Sequence, residues 1–491
     1  MDANGREVYL ISDLHLGGVQ PTTDDPDDRG FRICTHGAQL AQFVDALAAK
    51  PPSVELIING DMVDFLAEEN PGGGWNPFTT DQQEAARKLD SIIDRDKAFF
   101  AALGQFLERG HRLVILLGNH DVELALPAVR RRLGERLGLT GRHDFQFIYD
   151  GEAYPVGRAL IEHGNRYDQW NVVDNDGLRR LRSLLTRNQA VPADYQFKAP
   201  SGSHMVAEVI NPIKTHYRLV DLLKPENEGA IPVLMAIEPG YRKVLARIVP
   251  LASSTRAHRL AGPAMPSFAG DISAQSTGDP FGENSFASDI SARPAAPDPL
   301  DVILQQRLGA QAQVLQSAGG GAVSFAEDIS ARDTIDYSLG LLRLLTSSSR
   351  AGLDARLPAL LAAVRSLQND TTFDREVECQ PYLGAAKTLA SGGFDYVIFG
   401  HTHSARDVAL PGSARYFNLG TWADLIIFPK HILQGPDATA IDGLRAFVED
   451  MAAGKLGAWT SFIPTYVKMV VGSDGAIREA KLCDYTGPAN V

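Results

Sequence analysis

The chain has 491 residues, of which 44% are hydrophobic and 22% charged, and its formal net charge is −13. That length leaves room for two or three domains, and the balance is the one a globular protein with a sizeable core shows. The acidity argues against a broad electrostatic footprint on DNA or RNA, while a nucleotide or short strand held by a local patch stays compatible with it.

In chain order, the first 165 residues alternate short apolar runs with helical patterns. Val8–Ile11, Leu56–Ile58, Leu113–Leu117 and Ala159–Ile161 read as buried strands by length and β-branched content. Between them, Gly37–Ala49, Asp81–Glu108 and Glu123–Leu137 carry apolar residues at helical spacing. Such alternation predicts a layered α/β fold with ligands gathered at strand ends. From Leu178 to Ala252 the sequence reads as helical, and from Ser253 to about Ala331 it turns rich in Ala, Ser, Gly and Pro. Here SFAGDISA (267–274), SFASDISA (285–292) and SFAEDISA (324–331) repeat one unit, a duplicated flexible segment, a docking peptide or a strand that pairs between protomers. Unequal intervals exclude a solenoid. Helical patterning returns over Ile335–Leu367, followed by strands at Tyr396–Phe399 and Ala414–Phe417 and a hairpin from Pro464–Val471 to Ala476–Leu482. The expected organisation is one catalytic domain (1–177 and 335–491, the second part opening with the helical return). It is split by a helical insertion (178–252), a small packed core or a lid, and by the low-complexity segment (253–334).

Cys34, Cys379 and Cys483 lie far apart, which points to a reducing compartment and away from a disulfide framework. The first residues lack the basic start and apolar core of a signal peptide, and no apolar run reaches the roughly 18 residues of a spanning helix. A cytoplasmic location is the expectation.

Five short stretches sit just where an apolar strand ends. They are Asp13-Leu14-His15, Gly60-Asp61-Met62-Val63-Asp64, Gly118-Asn119-His120-Asp121, His163-Gly164-Asn165 and Gly400-His401-Thr402-His403. Alternation along a strand would put Asp13 and His15 on one side, so that an oxygen and a nitrogen can bind one cation. Asp61 has two oxygens, enough to bridge two metals. One stretch alone is unremarkable, because a strand-end Asp often caps a turn. Five together are hard to obtain by chance.

Taken together, the five stretches resemble the calcineurin-like metallophosphoesterase superfamily, whose pattern runs D-x-H, G-D-x-x-D, G-N-H-[D/E], H and G-H-x-H. The resemblance covers about residues 1–170 and 370–485 and leaves out the insertion. It implies a four-layer β-sandwich flanked by helices, in which Asp13, His15 and His403 hold one metal, Asn119, His163 and His401 the other, and Asp61 bridges them. It further implies that His120 protonates the leaving oxygen and that Asp64 orients that imidazole. Two cations roughly 3.5–4 Å apart neutralise phosphate oxygens and turn a bridging water into hydroxide near neutral pH. The His, carboxylate and amide ligands suit manganese best, with iron or zinc as alternatives.

Phe65 and Asp121 depart from the serine/threonine protein phosphatase pattern, and Asp64 departs from that of purple acid phosphatases. The opening Ile11-Ser-Asp-Leu-His-Leu-Gly-Gly18 and Asn418-Leu-Gly-Thr-Trp422 are more similar to the UDP-2,3-diacylglucosamine pyrophosphatase branch. Asn165, however, stands where that branch has Asp. The expected substrate is a small phosphorylated or nucleotide-linked molecule. A nuclease or cyclic-nucleotide phosphodiesterase is the second reading, with Arg130, Arg131, Arg132 and Arg136 as its candidate basic patch, and a non-catalytic scaffold the third. Arg166 and Trp170 are candidates for binding a substrate phosphate and stacking on a base or sugar, or else for an acidic neighbour and for packing under the insertion. The run Asp24-Asp25-Pro26-Asp27-Asp28 reads as a solvated loop.

Overall fold

The computed structural model describes residues 5–19, 30–51, 54–139, 144–192, 197–224, 229–241, 340, 343–344, 352–368 and 371–491. The three SFAxDISA units and the acidic run at 24–28 lie outside them. Two sheets form the centre. The first holds β1 (Arg6–Ile11), β2 (Val54–Asn59), β3 (Arg112–Leu116) and β4 (Phe145–Ile148) in parallel, with the hairpin β13 (Thr465–Val471) and β14 (Ile477–Asp484) added antiparallel beside β1. The second has the order β5 (Tyr154–Val156), β6 (Ala159–Ile161), β8 (Tyr396–Phe399), β10 (Arg415–Asn418) and β9 (Arg406–Ala409).

Period-two alternation sorts the side chains into layers. Val8, Leu10, Ile57, Val114 and Leu116 of the first sheet meet Ile161, Ile398 and Phe417 of the second in one buried cluster. Tyr9, Ile11, Leu56, Ile58, Leu113 and Ile115 face the other way, onto α1 (Gly37–Ala48), α2 (Gln82–Arg95) and α3 (Lys97–Glu108). Val397, Phe399 and Tyr416 pack outward on helix Gln380–Ser391. The result is helix, sheet, sheet, helix, the four layers expected. The single helix expected over Asp81–Glu108 is two, because Asp96 leaves helical geometry at φ −105°, ψ 30°. Its carboxylate is held by Arg32 instead.

The insertion leaves the sandwich after β6 and returns at β8, and these two strands are parallel neighbours, Leu160 opposite Val397. The sheet therefore closes over the gap. Helices Ile231–Ile237 and Leu353–Arg365 build an apolar core of their own with helix Asp437–Ala452. Backbone pairing and a buried side-chain bond help to fix it to the sandwich. β7 (Leu223–Lys224) pairs with β11 (Leu425–Ile427), and the fully buried Asn211 amide donates to the Leu66 carbonyl at 2.6 Å. Among the described residues no helix is long and apolar enough to cross a membrane, and none of the three cysteines forms a disulfide.

Candidate metal centre

Every one of the five stretches lies just beyond the carboxyl end of a parallel strand: β1, β2 and β3 of one sheet, β6 and β8 of the other. Ligands gather there in layered α/β folds because the loops leave the sheet on that side. Asp13 and His15 do not owe their common side to strand alternation, however. Their φ angles are +54° and +43°, so each sits in a left-handed turn past the strand end. Asp61, His401 and His403 are also left-handed, and among the described residues Asn188 is the only other non-glycine with positive φ. Such residues cost about 1–3 kcal/mol each and persist where surrounding contacts over-determine them.

Those contacts are visible. The His15 N–H donates to the Asp61 carbonyl at 2.9 Å, and the Thr421 hydroxyl donates to the Asp13 carbonyl at 2.7 Å. The Asn418 amide donates to the Gly400 carbonyl at 2.6 Å. Asn418-Leu-Gly-Thr-Trp422 thus serves as a buttress for the first and last loops, with Trp422 fully buried. Asp121 is buried and accepts from the Gly118 and Met62 N–H groups at 2.7 and 2.9 Å, tying the second loop to the third. Room for the acids comes from glycine. A Cβ on Gly118 would lie 2.5 Å from the Asp61 backbone nitrogen and closer still to its carboxylate.

Two clusters of potential ligands result, Asp13 with His15 and His403, and Asp61 with His163 and His401, each with its donor atoms within 4.8 Å of one another. The His15 and His403 Nε2 atoms are 2.8 Å apart, and Asp13 Oδ1 is 3.4 Å from the latter. Asp61 Oδ2 lies 3.1 Å from His163 Nε2 and 3.7 Å from His15 Nε2, between the clusters, while Asp61 Oδ1 accepts the His120 backbone N–H at 2.8 Å. His163 Nδ1 meets the Asn59 carbonyl at 2.8 Å, which fixes the proton there and leaves the Nε2 lone pair free. Asp64 Oδ2 is 3.2 Å from His120 Nδ1 and 3.4 Å from His15 Nδ1, so one carboxylate serves two rings. His15, Asp64 and His120 accordingly form a third close group.

The electrostatics call for cations. Asp13, Asp61 and Asp64 are buried, and the charged partners of all three among the described residues are histidines, not Lys or Arg. Burial alone would push these carboxyls up, but the adjacent imidazoles hold all three below the usual carboxylate range. Conversely, burial would lower His163 and Asp61 lifts it to about 9, while burial and the Lys224 ammonium push His403 down to about 4. Asn119 Oδ1 is buried with no hydrogen-bond partner, an orphan acceptor beside the second cluster. Convergent nitrogens, buried carboxylates whose charged partners are imidazoles, and an orphan amide oxygen together fit divalent metal ions.

Of the remaining expectations, Arg166 takes its acidic neighbour: its Nε is 3.4 Å from Glu162 and its Nη2 donates to the Gly151 carbonyl at 2.8 Å. Trp170 is partly buried, and its carbonyl accepts the N–H of Gly202 from within the insertion. Sequence reasoning missed Asp168, 3.2 Å from His401 Nε2, and Asn171, 3.5 Å from Asn119 Nδ2. The only signal was an unusually polar run after His163.

Residues 7–214 match the family model described as calcineurin-like phosphoesterase, a family that hydrolyses phosphoesters with the help of divalent metal ions. The match covers less than half of the chain and stops short of His401 and His403, which the fold nonetheless brings to the same strand ends. No curated protein matches the chain.

Proposed function

We propose that the chain is a dinuclear metal-dependent phosphoesterase acting on a small phosphorylated or nucleotide-linked molecule. The observation that carries this reading is the position of Asp61 Oδ2 between the two ligand clusters. Asp13, His15 and His403 would hold one cation, and Asn119, His163 and His401 the other, with Asp61 shared. Two such cations, manganese before iron or zinc, supply neutralisation of phosphate oxygens and activation of water when bound.

The protein's own groups do the rest. Asp64, 3.2 Å from the His120 ring, shifts that imidazole toward its protonated form, from which a proton can pass to the departing oxygen. The Asn59 carbonyl fixes the tautomer of His163, and the Asn418–Trp422 buttress holds Asp13 and Gly400 still while charge develops. The insertion stands beside this face. Lys224, on the strand that pairs with β11, has its charge within reach of His403 and is suited to a substrate anion.

Three of the four arginines that would serve a nuclease are committed within the fold. Arg132 and Arg136 are paired with Asp90, Arg136 also with Asp94, and Arg130 lies 3.7 Å over the Tyr149 ring. A scaffold that had lost its metals would be expected to lack candidate ligands, and all seven proposed residues are present in the chain. The likeness to the UDP-2,3-diacylglucosamine pyrophosphatase branch rests on the opening motif and on Asn418–Trp422, whose buttressing role does not depend on substrate.

The test is a screen of the full chain, chelated and then reloaded with Mn2+, against p-nitrophenyl phosphate, bis-p-nitrophenyl phosphate, cyclic nucleotides, UDP-sugars and single-stranded DNA. Hydrolysis of a small ester or pyrophosphate that disappears on chelation and returns with metal is expected. Preferential cleavage of DNA would move the reading to a nuclease, and absence of any metal-dependent hydrolysis would overturn it.

A further inference from the structure

Asp168 lies outside the seven proposed ligands, yet its carboxylate reaches into the second cluster. Its Oδ2 is 3.2 Å from His401 Nε2 and accepts the Asn171 side-chain amide at 2.8 Å, and its Oδ1 accepts the Trp170 N–H at 3.0 Å. Asn171 in turn turns its Oδ1 to the Asn119 amide at 3.5 Å, and its own carbonyl is held by the Asn165 side chain at 2.7 Å. A short chain of polar contacts therefore runs from His401 through Asp168 and Asn171 to Asn119. It joins two ligands that come from strands of different sheets, β8 and β3.

We infer that Asp168 is the positioning carboxylate of the second metal cluster, holding the His401 Nε2–H and, through Asn171, the orientation of the Asn119 amide. The inference rests on the dinuclear reading above. Its logic is tautomeric. An imidazole has one N–H and one lone pair when neutral, and a carboxylate that takes the N–H on Nε2 leaves Nδ1 as the lone pair for a cation. An Asn amide has the same ambiguity between its oxygen and nitrogen. Asn171 Oδ1 can accept only from the nitrogen, which turns the orphaned Asn119 oxygen to the metal side.

The brace also explains the loop's odd composition. Asn165, where the similar branch has Asp, spends its amide on the Asn171 carbonyl and so helps to fix the brace. The insertion leans on the same loop: the Gly202 N–H donates to the Trp170 carbonyl at 2.8 Å, and a Cβ on Gly202 would collide with the Asn171 side chain.

Chelated full-length wild type, Asp168→Ala and Asp168→Asn would be titrated with Mn2+ by calorimetry, with the spin-coupled dimanganese EPR signal as a second readout. Wild type should take up two ions. Asp168→Ala should weaken one of them about 10–100-fold and leave the other unchanged, the range typical for loss of a group that orients a ligand. Asp168→Asn should recover part of the loss, because its carbonyl still accepts the Nε2–H without the charge. Selective loss of one ion at unchanged melting temperature of the chelated protein is something a merely structural residue would not produce. Fewer than two ions on wild type would sink the dinuclear reading and this inference with it. Two ions on wild type and two equally tight ions on the Asn variant and on any folded Ala variant would sink the inference alone.

Discussion

Replacing His120 by alanine separates proton donation from metal binding. The backbone N–H of residue 120 anchors Asp61 Oδ1 at 2.8 Å, and alanine keeps that bond, so the shared carboxylate stays in place. What is lost is the ring, whose Nδ1 is 3.2 Å from Asp64 Oδ2. Burial alone would lower the pKa of this imidazole, but the Asp64 and Asp61 charges raise it above the usual histidine value. The shift is toward the protonated form, the one an acid requires. General acid catalysis contributes about 10²–10⁴-fold, or roughly 3–5 kcal/mol of barrier. That contribution is felt only when the leaving oxygen needs a proton. A series of phosphate esters running from p-nitrophenol to simple alcohols as leaving groups, assayed for kcat/KM with Mn2+, therefore gives a graded response. Loss on His120→Ala should reach about 10²–10⁴-fold for alkyl esters and stay below about tenfold for the p-nitrophenyl ester. Metal content should not change. An equal loss across the series would refute the acid role, and release of a metal ion would instead make His120 a ligand, since it also stands with His15 and Asp64 in a group of ligand-like spacing.

Glu123 lies buried behind the third loop, accepting the Thr79 N–H at 3.2 Å, and burial pushes its carboxyl to about 8. The folded chain then keeps a proton that the unfolded chain releases near 4.5, so stability from this group is full below that pH and is lost as pH rises toward 8. Glu123→Gln should gain about 3 kcal/mol at pH 7 and little at pH 4.5, read by urea unfolding at the two pH values; an identical difference at both would count against it. Gly118→Ala should force the Asp61 loop outward, with about 1–3 kcal/mol of overpacking and at least a roughly tenfold loss in Mn2+ affinity. Unaltered metal binding in that variant would show that the loop yields without moving the carboxylate.

The sequence by itself determined the strands that bear the candidate site and showed the Asp, His and Asn residues just past their ends. Both are local records. Val8–Ile11 or Leu113–Leu117 must be apolar because both faces of their sheet are covered, and Gly60, Gly118 and Gly400 must precede ligands because a side chain there would meet Asp61, His163 or Asp13. The hairpin over 465–484 was equally legible, its turn set by Gly472-Ser-Asp-Gly475. Short strands were legible only in part: β6, β8 and β10 stood out as apolar runs, whereas β4, β5, β9 and β11, of three or four residues, show no period and are defined by their pairing in the sheets. Nor could periodicity reveal that Asp13 and His15 share a side through left-handed turns, since φ is decided by the bonds that Asp61 and Thr421 offer from other loops. Asp168 lies 233 residues before His401, and nothing in its neighbourhood says that they touch. Only the parallel pairing of β6 with β8, across the whole insertion, brings that carboxylate to that ring, because sheet hydrogen bonding fixes neighbours in space regardless of how much chain is spliced between them.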